Sequence, residues 1–357
     1  MPKKRLTYQD AGVDTDLYEQ SLAAMIPFIK RTHTPRVLDG FGGFAALFTL
    51  DYNSRLFARN YRRPVLVTCN DGVGTKLKVA GMMKKHDTVG IDLVAMSVND
   101  CLCTGGEPLM FLDYLALPKD DPPLIKEIIK GISAGCMESD CALVGGETAI
   151  LPDFYKPGDY DLAGFCVGVV ERANIIDGKA IKTGDIILGL ASSGLHSNGY
   201  SLARKIVFDH AKLKVSDKAP ELGRTVGEEL LEPTRIYVRA VRNILDHYPR
   251  KKKIVRGLAH ITGEGLPGNV PRVLPPGKRA FLKRGSWPIP PVFTWLQQLG
   301  NVEQAEMDKV FNNGIGFVMI VSKYFAESIQ RRLIEKEGID THIIGEIRRG
   351  EADVEWV

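Results

Sequence analysis

Val65-Leu66-Val67-Thr68-Cys69-Asn70-Asp71-Gly72-Val73-Gly74-Thr75-Lys76 is the stretch from which the rest of the chain can be read. Its apolar, β-branched start predicts a buried strand, and the run from Thr75 to Lys85 predicts a helix. Between them Asp71 stands at the strand's carboxyl end, and Gly72 and Gly74 let the backbone come close to a neighbour. A carboxylate, free amides and the Lys76 ammonium at one strand end suit a metal-bound polyphosphate. A tight strand-to-helix turn capped by Asp71 fits the same residues. Neither common phosphate motif is present: there is no G-x-x-x-x-G-K-[ST], and Gly72 to Leu77 lacks the third glycine of a dinucleotide fingerprint.

The neighbouring segments add carboxylates. Thr88–Cys103 reads as a helix with Ile91, Val94, Ala95, Val98 and Leu102 on one face. Its other arc mixes Asp92, Asn99 and Asp100 with Leu93, Met96 and Cys103, so those carboxylates need a cation, an arginine or hydrogen-bond donors. Leu109–Leu117 reads as a strand carrying Asp113, and Pro122–Met137 as a helix. Cys141–Val144 reads as a short buried strand ending in Gly145-Gly146-Glu147-Thr148, a second strand end with glycine and a carboxylate. Asp71, Asp100 and Glu147 together make a candidate magnesium set, because hard divalent cations take oxygen ligands.

Upstream, Tyr8–Asp14 reads as a mobile lead, Leu17–Lys30 as a helix, Gly40–Phe44 as a region of bends and Ala45–Leu50 as a strand. Downstream, Leu162–Val170 reads as a strand before the composition turns polar and glycine-rich around Glu171–Thr183. A domain boundary there gives domains 1–171 and 172–357, as a length of 357 residues suggests. The second half opens with a strand at Asp185–Ala191, then Ser192-Ser193-Gly194-Leu195-His196-Ser197-Asn198-Gly199 and the helical Tyr200–Phe208. Small hydroxyl and glycine residues before a helix can hold phosphate, and His196 is either a packing histidine or a proton-transfer group. Helices near 224–232 and 234–247, a strand or turn through His260 and Thr262, and alternating elements to a last strand at His342–Ile347 complete an α/β or α+β pattern.

Apolar content of 44% and charged content of 25% are those of a globular protein. The net charge is only +4, and the basic clusters Lys3–Arg5 and Arg250–Lys253 lack interleaved aromatics, which argues against nucleic acid as a partner. No run approaches the roughly 20 apolar residues of a membrane helix. The N-terminus has charge without a following apolar core, so no signal peptide is expected. Six cysteines, none in C-x-x-C spacing, fit reduced thiols in a cytoplasmic protein better than disulfides or zinc.

Asn70–Lys76, Ser97-Val98-Asn99-Asp100, Gly145–Ala149, Ser192–Tyr200, His260–Leu266, Asn269–Pro275 and Phe311–Gly316 occur together and in one order. That set resembles the phosphoribosylformylglycinamidine cyclo-ligase family, also called aminoimidazole ribonucleotide synthetases, essentially from Tyr8 to the last strand. The resemblance implies ATP-dependent closure of formylglycinamidine ribonucleotide to aminoimidazole ribonucleotide in purine biosynthesis, with Mg²⁺. It implies a homodimer whose N-terminal mixed sheets join into a β-barrel, and a C-terminal α/β layer. By the same resemblance Asp71, Asp100 and Glu147 are metal carboxylates. Asp71, Gly72, Gly74, Thr75, Asp100, Asp113, Gly145 and Gly146 line the ATP site. Ser192, Ser193, Gly194, Ser197 and Asn198 bind the substrate phosphate, and His196, Lys76 and His260 are candidates for catalysis. The chain departs from the family pattern at Asn70, Ile150, Glu264 and Asn313, where Thr, Glu, Gly and Met are usual. Glu264 matters most, since a carboxylate beside anionic ligands repels them. Two rival readings are another ATP-dependent synthetase or kinase of the same superfamily and a non-catalytic nucleotide-binding paralogue.

Overall fold

The computed structural model describes residues 15–38, 45–49 and 61–357. The Tyr8–Asp14 lead and the Gly40–Phe44 bends lie outside them. In chain order the first half contains α1 (Thr15–Lys30), β1 (Val37–Leu38), β2 (Leu47–Phe48), β3 (Pro64–Gly72), α2 (Lys76–Met83), α3 (Asp87–Cys103), β4 (Glu107–Leu117), α4 (Pro122–Glu138), β5 (Ala142–Ile150) and β6 (Asp161–Glu171). The second half contains β7 (Ile186–Ala191), α5 (Tyr200–Arg204), β8 (Lys218–Ala219), β9 (Arg224–Thr225), α6 (Val226–Leu230), α7 (Val238–His247), β10 (Val255–His260), α8 (Gly265–Asn269) and β11 (Lys278–Leu282). It ends with α9 (Pro291–Gly300), α10 (Gln304–Val310), β12 (Ile315–Val321), α11 (Ala326–Glu337), β13 (Thr341–Arg349) and β14 (Val354–Trp356).

Two mixed sheets organise these elements. The first runs β3-β6-β4-β5, antiparallel except for the parallel β4–β5 pair. The second runs β10-β12-β7-β13-β11-β14, antiparallel except for β11–β14. The helix α3 joins them. It packs on β3 and β6 and also reaches β10 and α7. That position buries it nearly all round, Asp92, Ser97 and Asn99 included, which is why its sequence shows no clean polar arc.

Four expectations change. The strand β3 is not buried on both faces: Val65, Val67 and Cys69 are partly covered while Leu66 is 57% exposed. Period-two alternation marks a sheet with one open face. The strand β5 does not stop at Val144 but continues through Gly145, Gly146 and Glu147 to Ile150, paired with β4 throughout, so Glu147 is not at a strand end. The helix after Gly199 is short, and Lys205–His210 continues it as a π-helical turn. A further strand, β14, follows the expected last one and adds to β11.

Candidate active site

The first sheet sets out its polar residues in rows. Register places Asp71 opposite Gly164, Gly164 opposite Asp113, and Asp113 opposite Gly146. The next row is Gly72, Ala163, Tyr114 and Glu147. Adjacent rows project from opposite faces, so Asp71 and Asp113 share one face and Glu147 leaves from the other. Glycine is required on both sides of Asp113 in this row. A Cβ on Gly146 would come 2.4 Å from Asp113 Oδ1, and one on Gly164 would meet the Phe111 ring at 2.4 Å. Burial, helped by the Glu147 charge, pushes the Asp113 carboxyl up to about 7.

At the Asp71 end the helix α3 brings in Asp100, and β10 brings in His260. His260 Nδ1 lies 2.9 Å from Asp100 Oδ1. A carboxylate can only accept, so Nδ1 carries the proton, and the buried Nε2 has no hydrogen-bond partner. Asp100 remains open on its other side, its side chain 40% exposed against 1% for His260. Asp71 accepts from the Gly72 amide at 2.7 Å. Its carboxyl is pushed up chiefly by burial and further by the Asp100 charge, with His260 opposing. Beside Asp100 lies a cavity of about 310 Å³ whose lining includes Cys103, His260, Asn269 and Arg272.

Two half-buried carboxylates in electrostatic reach of one another are a suitable pair for a hard divalent cation that also takes phosphate oxygens. Glu147 does not join them within this chain. Among the described residues no three His, Cys, Asp or Glu side chains are grouped so as to hold a metal ion. The expected trio does not assemble within one chain, because the β4–β5 register turns Glu147 to the opposite face.

Lys76 is not beside this pair. Its side chain is fully buried, and its ammonium meets Asp92 at 2.8 Å, the His196 carbonyl at 3.0 Å and the Glu232 carbonyl at 2.6 Å. Three donors serve three acceptors, and none is left for a phosphate. Asp92 in turn accepts from the Thr234 amide at 2.7 Å and its hydroxyl at 2.6 Å. Asn99, the residue before Asp100, bridges to the Arg235 carbonyl and the Tyr237 amide. The polar arc of α3 is thus largely a set of ties to the segment 232–237. In the sequence the signal was Asp92 and Asn99 on a helix with no solvent face; nothing there marked Lys76 as the partner.

The Ser192–Asn198 loop sits on those ties. Ser192 Oγ bonds Asn312 Oδ1 at 3.0 Å, Ser193 Oγ donates to the Pro233 carbonyl at 2.5 Å, and Ser197 Oγ meets Thr234 Oγ1 at 3.3 Å. Gly194 adopts a φ of 152° and gives its carbonyl to Asn312. His196, at a left-handed φ of 62°, is fully buried. Its Nε2 accepts from the Ser193 amide at 3.2 Å, which leaves the proton on Nδ1. Burial pushes its pKa well below the ordinary histidine range, with the His260, Lys76 and Arg235 charges adding to the effect. It stays neutral and shapes the loop from beneath. Asn198, by contrast, is only half-buried, and its carbonyl oxygen stands 3.9 Å from where a Cβ on Gly263 would lie. The loops after β7 and β10 therefore face each other across the site. Glu264, exposed at φ 71°, opens α8 on that second loop.

Comparison with known proteins identifies the family. Residues 59–170 match the family model "AIR synthase related protein, N-terminal domain", and residues 182–357 match its C-terminal counterpart. A phosphoribosylformylglycinamidine cyclo-ligase of Citrifermentans bemidjiense is 51% identical over 100% of this chain and 99% of its own length. That of Thermoanaerobacter pseudethanolicus is 49% identical over 98% and 99%. Among solved structures, thiamine-monophosphate kinase from Stenotrophomonas maltophilia has a TM-score of 0.65 at 18% identity, covering 93% of this chain and 95% of that one. The hydrogenase maturation protein HypE in complex with ATP has a TM-score of 0.63 at 14% identity, over 92% and 88%. These two share the fold. The full-length identity decides the family: the chain belongs to the phosphoribosylformylglycinamidine cyclo-ligases.

Proposed function

We propose that this chain catalyses the ATP-dependent cyclisation of formylglycinamidine ribonucleotide to aminoimidazole ribonucleotide, with release of ADP and phosphate. The observation that carries this reading is identity of about half the residues with cyclo-ligases from end to end. In the reaction the formyl amide oxygen takes the γ-phosphoryl group from ATP, and ADP leaves. The amidine nitrogen then attacks that carbon, and the C–O bond breaks as phosphate departs. Phosphorylation converts a poor leaving group into a good one, so the protein's task is alignment and charge neutralisation.

The geometry supports these roles. Residues 1–171 supply Asp71 and Asp100 toward the triphosphate, with the backbone at Gly72, Gly74 and Thr75 beside it. A bound Mg²⁺ would neutralise phosphate charge between those carboxylates. His260 acts through Asp100, holding its carboxylate in one rotamer. Residues 172–357 supply the Ser192–Asn198 loop toward the ribonucleotide, and Lys76 and His196 keep that loop in place. The open face of the first sheet carries Leu66 (57% exposed), Phe165 (44%) and Tyr114 (36%) on neighbouring strands. A contiguous apolar face of this kind suits a second copy of the chain, so the working form is a homodimer. Glu147, projecting from that face, would then contribute to the partner's site. No helix among the described residues is long and apolar enough to cross a membrane.

The test is substrate-dependent ADP formation by purified protein with ATP, Mg²⁺ and formylglycinamidine ribonucleotide. ADP release only when the ribonucleotide is present supports the reading. ATP binding without turnover in a folded protein favours the non-catalytic alternative.

A further inference from the structure

A second cavity lies away from the carboxylate pair, in the C-terminal half. It measures about 230 Å³ and is lined by Trp287, Trp356, Phe293, Arg284, Gln297 and Asp308, among others. That is below the roughly 300–1,000 Å³ of pockets for drug-sized ligands, so it suits a molecule of one or two rings. Its walls are aromatic: Trp287 and Trp356 have ring centroids 6.4 Å apart and planes tilted by 34°. Its cation is Arg284, whose guanidinium lies 4.2 Å from the Trp356 ring centroid and 2.6 Å from Asp308 Oδ2. Stacking and one ion pair hold that guanidinium flat, yet its side chain is still 47% exposed. A planar, partly open guanidinium over an indole is a receptor for a carboxylate or phosphate attached to a flat ring. The Asp308 carboxylate does not oppose this. It is buried and compensated by Arg284, Gln304 and Asn313.

The cavity is wired to the loop of the candidate active site. Its inner wall includes Asn313, whose carbonyl accepts from Trp287 Nε1 at 2.9 Å and whose amide donates to Met307 O and Asp308 Oδ1. The residue on one side, Asn312, holds Ser192 Oγ and the Gly194 carbonyl. The residue on the other, Gly314, takes the Ser192 amide on its own carbonyl. One three-residue turn thus has its Asn313 side in the tryptophan cavity and its Asn312 and Gly314 side on the Ser192–Asn198 loop. The turn has little slack, because Asn313 and Gly314 sit at φ 47° and 94° and a Cβ on Gly314 would strike Pro290 at 2.5 Å.

We propose that the Trp287–Trp356 cavity is a second small-molecule site, for a flat aromatic acid, and that filling it alters the Ser192–Asn198 loop through the Asn312–Gly314 turn. Two of the chain's three tryptophans line the cavity, so the protein reports its own occupancy. The full chain is titrated with 4-nitrobenzoate, a flat anionic quencher, and with the neutral 4-nitrobenzamide. Saturable quenching by the anion, weakened about tenfold for the amide and for Arg284→Met, is expected for loss of one charge-assisted contact. Amide hydrogen exchange of residues 192–199 should change as nitrobenzoate fills the wild-type cavity, and in Arg284→Met the same change should require about tenfold more nitrobenzoate. Non-saturable quenching, or equal affinity for acid and amide in the wild-type chain, overturns the site. Saturable binding with unchanged exchange at 192–199 overturns the link to the loop. Both readouts are independent of turnover, so they stand whether or not the cyclisation assay succeeds.

Discussion

Replacing Lys76 by methionine separates the two roles open to it. Methionine keeps most of the aliphatic stem but removes the ammonium, and three acceptors then lose their donor: Asp92 and the His196 and Glu232 carbonyls. The Asp92 carboxylate keeps the Thr234 amide and hydroxyl but stays fully buried with no counter-charge. Breaking a buried pair from one side costs about 3–5 kcal/mol. With an m-value of roughly 3 kcal/mol per molar urea, the unfolding midpoint falls by about 1–1.7 M. Asp92→Asn in the same chain removes the stranded charge, and the double variant should recover about 2 kcal/mol over the sum of the single ones. The assay is urea denaturation followed by tryptophan fluorescence, alongside nucleotide affinity measured on folded protein. An unchanged midpoint with nucleotide affinity reduced about tenfold would refute the buried-tie assignment and return Lys76 to the phosphates.

Other outcomes follow from the same geometry. Asp71→Asn should weaken Mg²⁺-dependent nucleotide binding and cost on the order of 2–4 kcal/mol at the transition state, read from kcat/KM, with the melting temperature retained. Glu264→Gly removes a side chain from a left-handed conformation, so it should stabilise the fold by about 1 kcal/mol in a thermal melt and lower KM for the anionic substrate. Asp113 has a raised carboxyl pKa, near 7 when folded against 3.8 as the ordinary value. The folded state therefore holds a proton that the unfolded state releases, and this group makes stability fall by about 1.4 kcal/mol per pH unit between those values. Asp113→Asn should flatten that slope in urea midpoints taken from pH 4 to 7; an unaltered slope would show that Asp113 ionises normally. Leu66→Arg on the open sheet face should shift the protein to monomer in sedimentation, and an unchanged dimer would move the interface elsewhere.

Much of the fold was legible because the helices α1, α3 and α4 and the strands β4, β6, β7 and β12 carry long, clear periodicities. The strand β5 was cut short because Gly145-Gly146 looks like a turn. Only its pairing with β4 shows that the glycines make room for Asp113 within a sheet. Asp71 and Asp100 were readable as carboxylates in need of a cation, and their proximity follows from α3 packing on β3. What the sequence could not supply was direction. The face from which Glu147 projects depends on register, and the partners of Lys76 and Asp92 lie 156 and 142 positions away at Glu232 and Thr234. His196 shows the same limit. Its loop position left packing and proton transfer both open, and only three dimensions show its ring fully buried.

The most direct measurement is the ratio of aminoimidazole ribonucleotide formed to ADP released by the purified protein supplied with formylglycinamidine ribonucleotide, ATP and Mg²⁺. Coupled ring closure predicts equal amounts, both abolished when the ribonucleotide is withheld. ADP released without the imidazole product, or no ADP from a folded protein that binds ATP, would contradict the assignment.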